Sequence, residues 1–158
     1  MARFVYEERT NVYWVVTIAT ASTPSVAEIT AGINLTSFIT KDGVKPGIST
    51  NNVDSATIAQ SFNAEVVGSW GASFELEMFR DNTADTAWTT CVRGSTGYVV
   101  VDRFNTSGTL PTNNGKVEVY PAQMHQPRPL DSAQDTQVRF VETFAVTSQP
   151  YLSAVAHT

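Results

Sequence analysis

The sequence predicts a mainly β protein, and three features of its composition and patterning support this fold class. Charged residues make up 16% of the 158 residues, against a typical figure of roughly 25%. Threonine and valine fill the difference with 21 and 19 copies, and β-branched side chains pack well on pleated sheets. Short segments of alternating apolar residues recur along the chain. The length fits a single domain, 1–158, with a substantial core.

The first third of the chain predicts a strand, a short helix and a loop. Residues 12–20 are rich in β-branched and aromatic side chains, as in a strand. Thr23 can cap a helical turn that begins at Pro24 and ends at Gly32, and residues 34–40 fit either a strand or a continuation. Residues 41–55 contain two glycines, a proline and no period. We therefore expect a long loop, a type that is usually functional or disordered.

The middle of the chain predicts two strands followed by one α-helix. Residues 56–67 and 69–80 form the strands, joined around Gly68, and the second presents one apolar face: Trp70, Ala72, Phe74, Leu76 and Met78. The helix spans residues 83–93, where apolar side chains recur at helical spacing: Ala84, Ala87, Trp88, Cys91 and Val92.

The last third predicts three strands and a tail. Residues 97–104 and 116–125 are strands, and Pro121 places the second at a sheet edge or ends it there, because proline removes a ladder donor. A proline-containing loop leads to a strand at 138–146, and residues 148–158 form a C-terminal tail. Phe140 and Phe144 share one face of the last strand, but Glu142 lies between them on that face.

Several classes of function are disfavoured by the residues present. The net charge of −5 and the absence of a Lys/Arg run argue against tight binding of nucleic acid phosphates. Cys91 has no disulfide partner, and His125 and His157 lack metal-ligand spacing. Glu75 and Glu77 share one strand face, which favours a solvated acidic surface over a hydrolytic pair. We expect no catalytic, cofactor-binding or metal-binding residues.

Targeting features are also missing from the sequence. The N-terminal residues lack the positive and then apolar pattern of a signal peptide, and no apolar run approaches the length needed to cross a bilayer. We expect a protein that stays in the cytoplasm or is released by lysis.

Four segments resemble one protein family. The order PSVAEITAGINLTSFIT, FRDNTADTAWTTCVRGSTGYVVVDRF, KVEVYPAQM and VRFVETFAVTSQPYL is similar to the tail tube proteins, or major tail proteins, of long-tailed (siphovirus-type) bacteriophages, most of all those of phages infecting actinobacteria. The resemblance covers nearly the whole chain. It implies a β-sandwich of two packed sheets with one flanking helix, residues 83–93.

The same resemblance implies an assembly and a location. Six copies form a ring, and the rings stack into a tube whose lumen conducts DNA without binding it specifically. Tail terminator, tape measure and distal tail proteins are the expected partners. No cofactor and no membrane are implied. The resemblance also implies that the protein belongs to the virion and is assembled in the host cytoplasm.

The resemblance, combined with the residue pattern, gives candidate assembly residues. An ion pair within or across subunits is one solution for Glu142, and a twist or bulge that brings it to solvent is the other. The N-terminal arm 1–11, the loop 41–55 and the tail 148–158 either contact neighbouring copies or pack on their own subunit. Candidate contacts are Phe4, Tyr6, Val44, Ile48, Val53, Glu142, Arg80, Arg93 and Arg103. Acidic lumen candidates are Glu65, Glu75, Glu77 and Glu118.

Two other functions compete with the tail tube. The first is a monomeric β-sandwich that binds a carbohydrate or receptor as part of a virion, which would need exposed aromatics around a groove. The second is a small hydrolase that uses Glu75 or Glu77 with another acid.

Overall fold

The computed structural model describes residues 10–59, 61–62, 64–103, 112 and 114–158. Its strands form one antiparallel sheet in the order β2-β1-β5-β6-β8-β4-β3, with β7 paired to β8 and β9 paired to β6. The strands are β1 Asn11–Val15, β2 Ile33–Asn34, β3 Ile39–Asp54, β4 Glu65–Phe79, β5 Thr96–Asp102, β6 Lys116–Met124, β7 Arg128–Pro129, β8 Arg139–Val146 and β9 Tyr151–Val155. The helices are α1 Val26–Ala31 and α2 Thr86–Thr90.

Strand β6 is the place where the sheet folds into two layers. Its first part pairs with β9 up to Val119, and its end pairs with β8 over Ala122–Met124. Pro121 lies between these two pairings, still opposite Tyr98 of β5. The expectation that the strand runs at an edge or ends at Pro121 is therefore wrong. A missing amide is tolerated here because the partner on one side of β6 changes at this residue.

A buried cluster fills the space between the layers. Trp14, Phe74, Tyr120 and Phe144 form its aromatic centre, with the ring centroids of Phe74 and Tyr120 4.7 Å apart. Strands β1, β5 and β6 contribute one wall of the cluster, and β4 and β8 contribute the other. This arrangement confirms the predicted mainly β fold with packed layers.

A second cluster covers the opposite face of β1, β5 and β6. Tyr13, Val100 and Val119 belong to it, together with Ile29 of α1 and Ala154 of β9. Strand β1 is buried along its whole length because the two clusters take alternate residues of it. The C-terminal segment thus packs on its own subunit, although Tyr151, Leu152 and Val155 keep exposed side chains.

Helix α1 begins two residues later than expected. Its N-cap is Ser25 rather than Thr23, and a capping box joins Ser25 to Glu28. The Ser25 hydroxyl accepts from Glu28 N at 3.1 Å, and Ser25 N donates to the Glu28 carboxylate at 2.8 Å. Two donors are satisfied reciprocally, which fixes this start more firmly than Thr23 could. Gly32 ends the helix as predicted.

Helix α2 is shorter than the predicted 83–93. It spans Thr86–Thr90, because Asp85 adopts a left-handed conformation (φ 47°) that interrupts any earlier helical turn. Ala87 and Cys91 are buried as the stripe predicts, but Val92 is exposed.

The largest departure from expectation is the segment 41–55, which is strand and not loop. β3 and β4 form a long hairpin, and their register runs from Ile39↔Met78 to Asp54↔Glu65. β3 is the outermost strand, so Pro46 can occupy it where an edge strand needs no donor. Likewise Gly68 does not separate two strands, since it lies within β4. Pairing with β4 overrides the weak strand propensity of the Gly, Pro and Asn residues.

Candidate assembly surface

The outer part of the β3–β4 hairpin, residues 48–71, is called here the extended hairpin. Its described residues are exposed or half-buried, whichever way their side chains point. Large apolar side chains are exposed along both strands and at the turn: Ile48, Val53, Ile58, Phe62, Val66, Val67 and Trp70. Exposed apolar clusters of this size mark interaction sites in soluble proteins.

The predicted contacts on β3 fall at different depths. Val44 is partly buried and packs against the main core cluster, whereas Ile48 and Val53 are 57% and 56% exposed. The other exposed apolar residues of the extended hairpin were missed by the sequence analysis. The sequence pattern that could have revealed them is a series of apolar residues that do not alternate with polar ones. Alternation is absent because neither face of the hairpin is buried in the subunit.

Two of the four acidic lumen candidates share one face of β4. Alternation puts Glu75 and Glu77 on the side opposite the buried Phe74 and Leu76. Glu65 lies on the other face, because the register with β3 shifts by one residue between Trp70 and Val67. Glu77 is neutralised by two cations, as its carboxylate lies 3.1 Å from Lys45 Nζ and 2.7 Å from an Arg139 guanidinium nitrogen. Glu75 accepts from the Thr143 hydroxyl at 3.1 Å.

Glu118 lies elsewhere, on β6 opposite Val101 of β5. Its carboxylate is 2.9 Å from Arg103 Nε and also accepts from the Tyr120 hydroxyl at 3.0 Å. A recess of about 540 Å³ surrounds this ion pair. Its lining residues are Pro46, Ile48, Arg103, Glu118, Tyr120 and Leu152. Burial and the nearby Glu118 carboxylate raise the pKa of Tyr120.

Glu142 faces the core between the layers. It pairs in register with Leu76 and has no exposed surface. Among the described residues neither of its carboxyl oxygens has a hydrogen-bond partner. The Cys91 thiol and the His125 amide lie close to the carboxyl group and act to lower its pKa, but burial has the larger effect. The His125 amide already donates to the Thr143 carbonyl. Burial raises the pKa of Glu142 from 4.5 to about 7.

Both expectations for Glu142 are therefore wrong for this subunit. Arg80 pairs with Asp85 and stacks 4.1 Å above the Trp88 ring, and Arg103 pairs with Glu118. The strand carries Glu142 inwards without a bulge, since its register with β4 is continuous. Complete burial also removes any path for a cation from another copy. The side chain instead resembles a buried acid that is stable in its neutral form.

The remaining candidates lie apart from this core. Arg93 is exposed just after α2, beside a recess of about 340 Å³. The lining residues of that recess are Arg93, Gly94, Gln123, Met124, His125 and Ala145. Phe4 and Tyr6 lie outside the described residues, as does most of the N-terminal arm.

No group of three or more His, Cys, Asp or Glu side chains within the described ranges could hold a metal ion. None of the helices there is long and apolar enough to span a bilayer.

Comparison with known proteins gives matches to a family and to a solved structure. A family described as phage tail tube protein matches residues 1–158. One similar solved chain comes from a cryo-EM structure of the anti-feeding prophage (AFP) baseplate, 6-fold symmetrised. It shares 11% identity and a TM-score of 0.57, with 94% of this chain and 95% of that chain covered. At this identity the likeness concerns the fold. No curated protein sequence matches significantly.

Proposed function

This chain belongs to the phage tail tube protein family, and from that premise we propose that it is the repeating subunit of a tail tube built from stacked hexameric rings. A structural role in the phage tail follows from the family itself. The observation that supports the finer proposal is the extended hairpin, whose large apolar side chains are exposed to solvent in the described part of the subunit.

Burial of these side chains supplies the energy of assembly. Fully burying a large aliphatic or aromatic side chain stabilises a complex by about 1.5–3 kcal/mol before the cost of association. Ile58 and Phe62 are 108% and 77% exposed, so nearly their whole surface is available for a neighbouring copy. The outer edge of β3 also presents unpaired backbone groups, and such an edge is stabilised by a further strand.

The charge of the chain suits a conduit for DNA. A wall with a net negative charge repels phosphates, which permits passage without retention. Glu75 remains the lumen candidate on its face of β4 in this proposal, because cations already neutralise Glu77. Glu65 is the candidate on the opposite face of the hairpin. The tube needs no cofactor and carries out no reaction. The partners in this proposal are tail terminator, tape measure and distal tail proteins, which close the tube and set its length. Assembly takes place in the host cytoplasm.

Electron microscopy of the purified protein tests the proposal. We expect rings or tubes, and a sedimentation coefficient that rises with protein concentration. The double substitution Ile58→Ser and Phe62→Ser abolishes these assemblies without unfolding the subunit, because both residues lie in the turn of the extended hairpin. Val138→Ser is the matched control, since Val138 is an exposed apolar residue of the body.

Dispersed small particles at every concentration would contradict the tube. That result would favour the monomeric virion binding module instead, and glycan or receptor binding would then be the property to measure.

A further inference from the structure

The extended hairpin carries acidic charge at its outer end. Residues 48–71 contain two carboxylates, Asp54 and Glu65, and no Lys or Arg. At the end of the paired region, Asp54 and Glu65 are directly opposite each other, and like charges in this position destabilise a strand pair. Asn52 donates to Glu65 and the Ala56 amide donates to Asp54, each at 2.8 Å. Neither carboxylate enters an ion pair in the part of the chain that the structure describes.

A complementary recess lies on the body of the subunit. It is the 340 Å³ recess beside Arg93 described above, with the buried Met124 as part of its lining. Arg93 forms no ion pair within the described ranges, and the exposed His125 lies at the same recess. Gly94, with φ 87°, turns the chain here, and its amide donates to the Met124 carbonyl at 2.9 Å. Arg93 is thereby anchored at the edge of a partly apolar depression.

The hairpin end cannot reach this recess in its own subunit. Ala145 lines the recess and is paired in register with Ser73 of β4. Glu65 lies eight residues before Ser73 on the same strand. At about 3.3 Å per residue, the two positions are about 26 Å apart along β4, which is much more than the length of an arginine side chain. A contact between them requires two copies of the chain.

We propose that the hairpin end of one copy, Asp54 and Glu65 with the exposed Val67 on the same face, docks at the Arg93 recess of a neighbouring copy. This inference rests on the tail tube function and names the partner surface for the hairpin. The Arg93 guanidinium binds the two carboxylates through charge-assisted hydrogen bonds, and Val67 covers the apolar part of the depression. Because the two surfaces differ, the contact is heterologous and repeats from copy to copy into a ring or filament.

A charge swap in the full-length protein tests this contact. Glu65→Lys and Arg93→Glu are each expected to raise the critical concentration for assembly by about tenfold or more, since each leaves like charges facing each other. Combining the two substitutions restores assembly to near the wild-type concentration. Arg128→Glu is the control, because Arg128 is an exposed arginine of β7 that does not line the recess. Circular dichroism confirms that every variant is folded, and Glu65→Gln and Arg93→Gln provide milder forms of each change.

The outcomes separate this inference from the function on which it rests. Normal assembly of both single variants, a double variant as defective as the singles, or an equal defect in Arg128→Glu would each overturn the docking contact while the tube stands. Failure of the wild-type protein to form rings or tubes at any concentration would overturn the tube itself.

Discussion

Replacing Glu142 with glutamine should remove a pH dependence from the stability of the folded subunit. Burial raises the folded-state pKa from 4.5 to about 7, so folding favours the neutral acid. The contribution of Glu142 to stability is therefore fully present below pH 4.5, and it is lost as the pH rises through 7. The shift corresponds to about 3 kcal/mol in total, of which about 2.5 kcal/mol falls between pH 5 and pH 8.

Urea denaturation of dilute, unassembled protein at several pH values measures this effect. Other carboxylates also titrate, so the useful quantity is the difference in free energy of unfolding between Glu142→Gln and wild type. We expect that difference to rise by about 2.5 kcal/mol in favour of the glutamine variant from pH 5 to pH 8. Any constant cost of burying the amide cancels in the comparison.

A matched control isolates the role of burial. Glu65→Gln makes the same change in net charge at an exposed position, and its difference from wild type should show no comparable rise. A difference for Glu142→Gln that stays constant from pH 5 to pH 8 would refute the reasoning. It would mean that Glu142 is solvated or paired in the folded subunit.

Three further predictions concern the core, the first helix and the thiol. Phe74→Ala should lower the free energy of unfolding by about 3–5 kcal/mol, because Phe74 is fully buried against Phe144; a loss below 1 kcal/mol in urea denaturation would contradict this packing. Ser25→Ala should cost about 1 kcal/mol, as it removes the cap that binds Glu28 N, and an unchanged thermal midpoint would argue against the capping box. Cys91 is buried and burial raises the pKa of its thiol, so the native protein should react with a thiol reagent far more slowly than the urea-unfolded protein, and equal rates would show that Cys91 is accessible.

Sequence periodicity identified the strands that have one buried face. In β8 the alternation of Phe140, Glu142 and Phe144 gave the correct inward face. The same pattern could not show what surrounds Glu142, because the neighbouring Leu76 and Cys91 come from other elements. A carboxyl group can be buried with its charge paired or as a neutral acid, and only the three-dimensional environment distinguishes them.

The β3 part of the extended hairpin was missed for a different physical reason. Periodicity arises when one face of a strand is buried, and residues 48–71 have no buried face in the subunit. Pro46 and the Gly and Asn residues of β3 then read as a loop. Helix α2 was overestimated because spacing alone does not reveal that Asp85 takes a left-handed conformation.

The continuity of β4 has a mechanical consequence for a tube under load. One uninterrupted strand runs from Glu65 in the extended hairpin to Phe79 in the body, where seven register pairs join it to β8. A pull along the hairpin acts parallel to β4 and therefore perpendicular to these antiparallel hydrogen bonds. Such shear stretches all seven pairs together, whereas a peeling force would open them one at a time. The subunit is thus anchored to resist traction in the direction in which its hairpin extends.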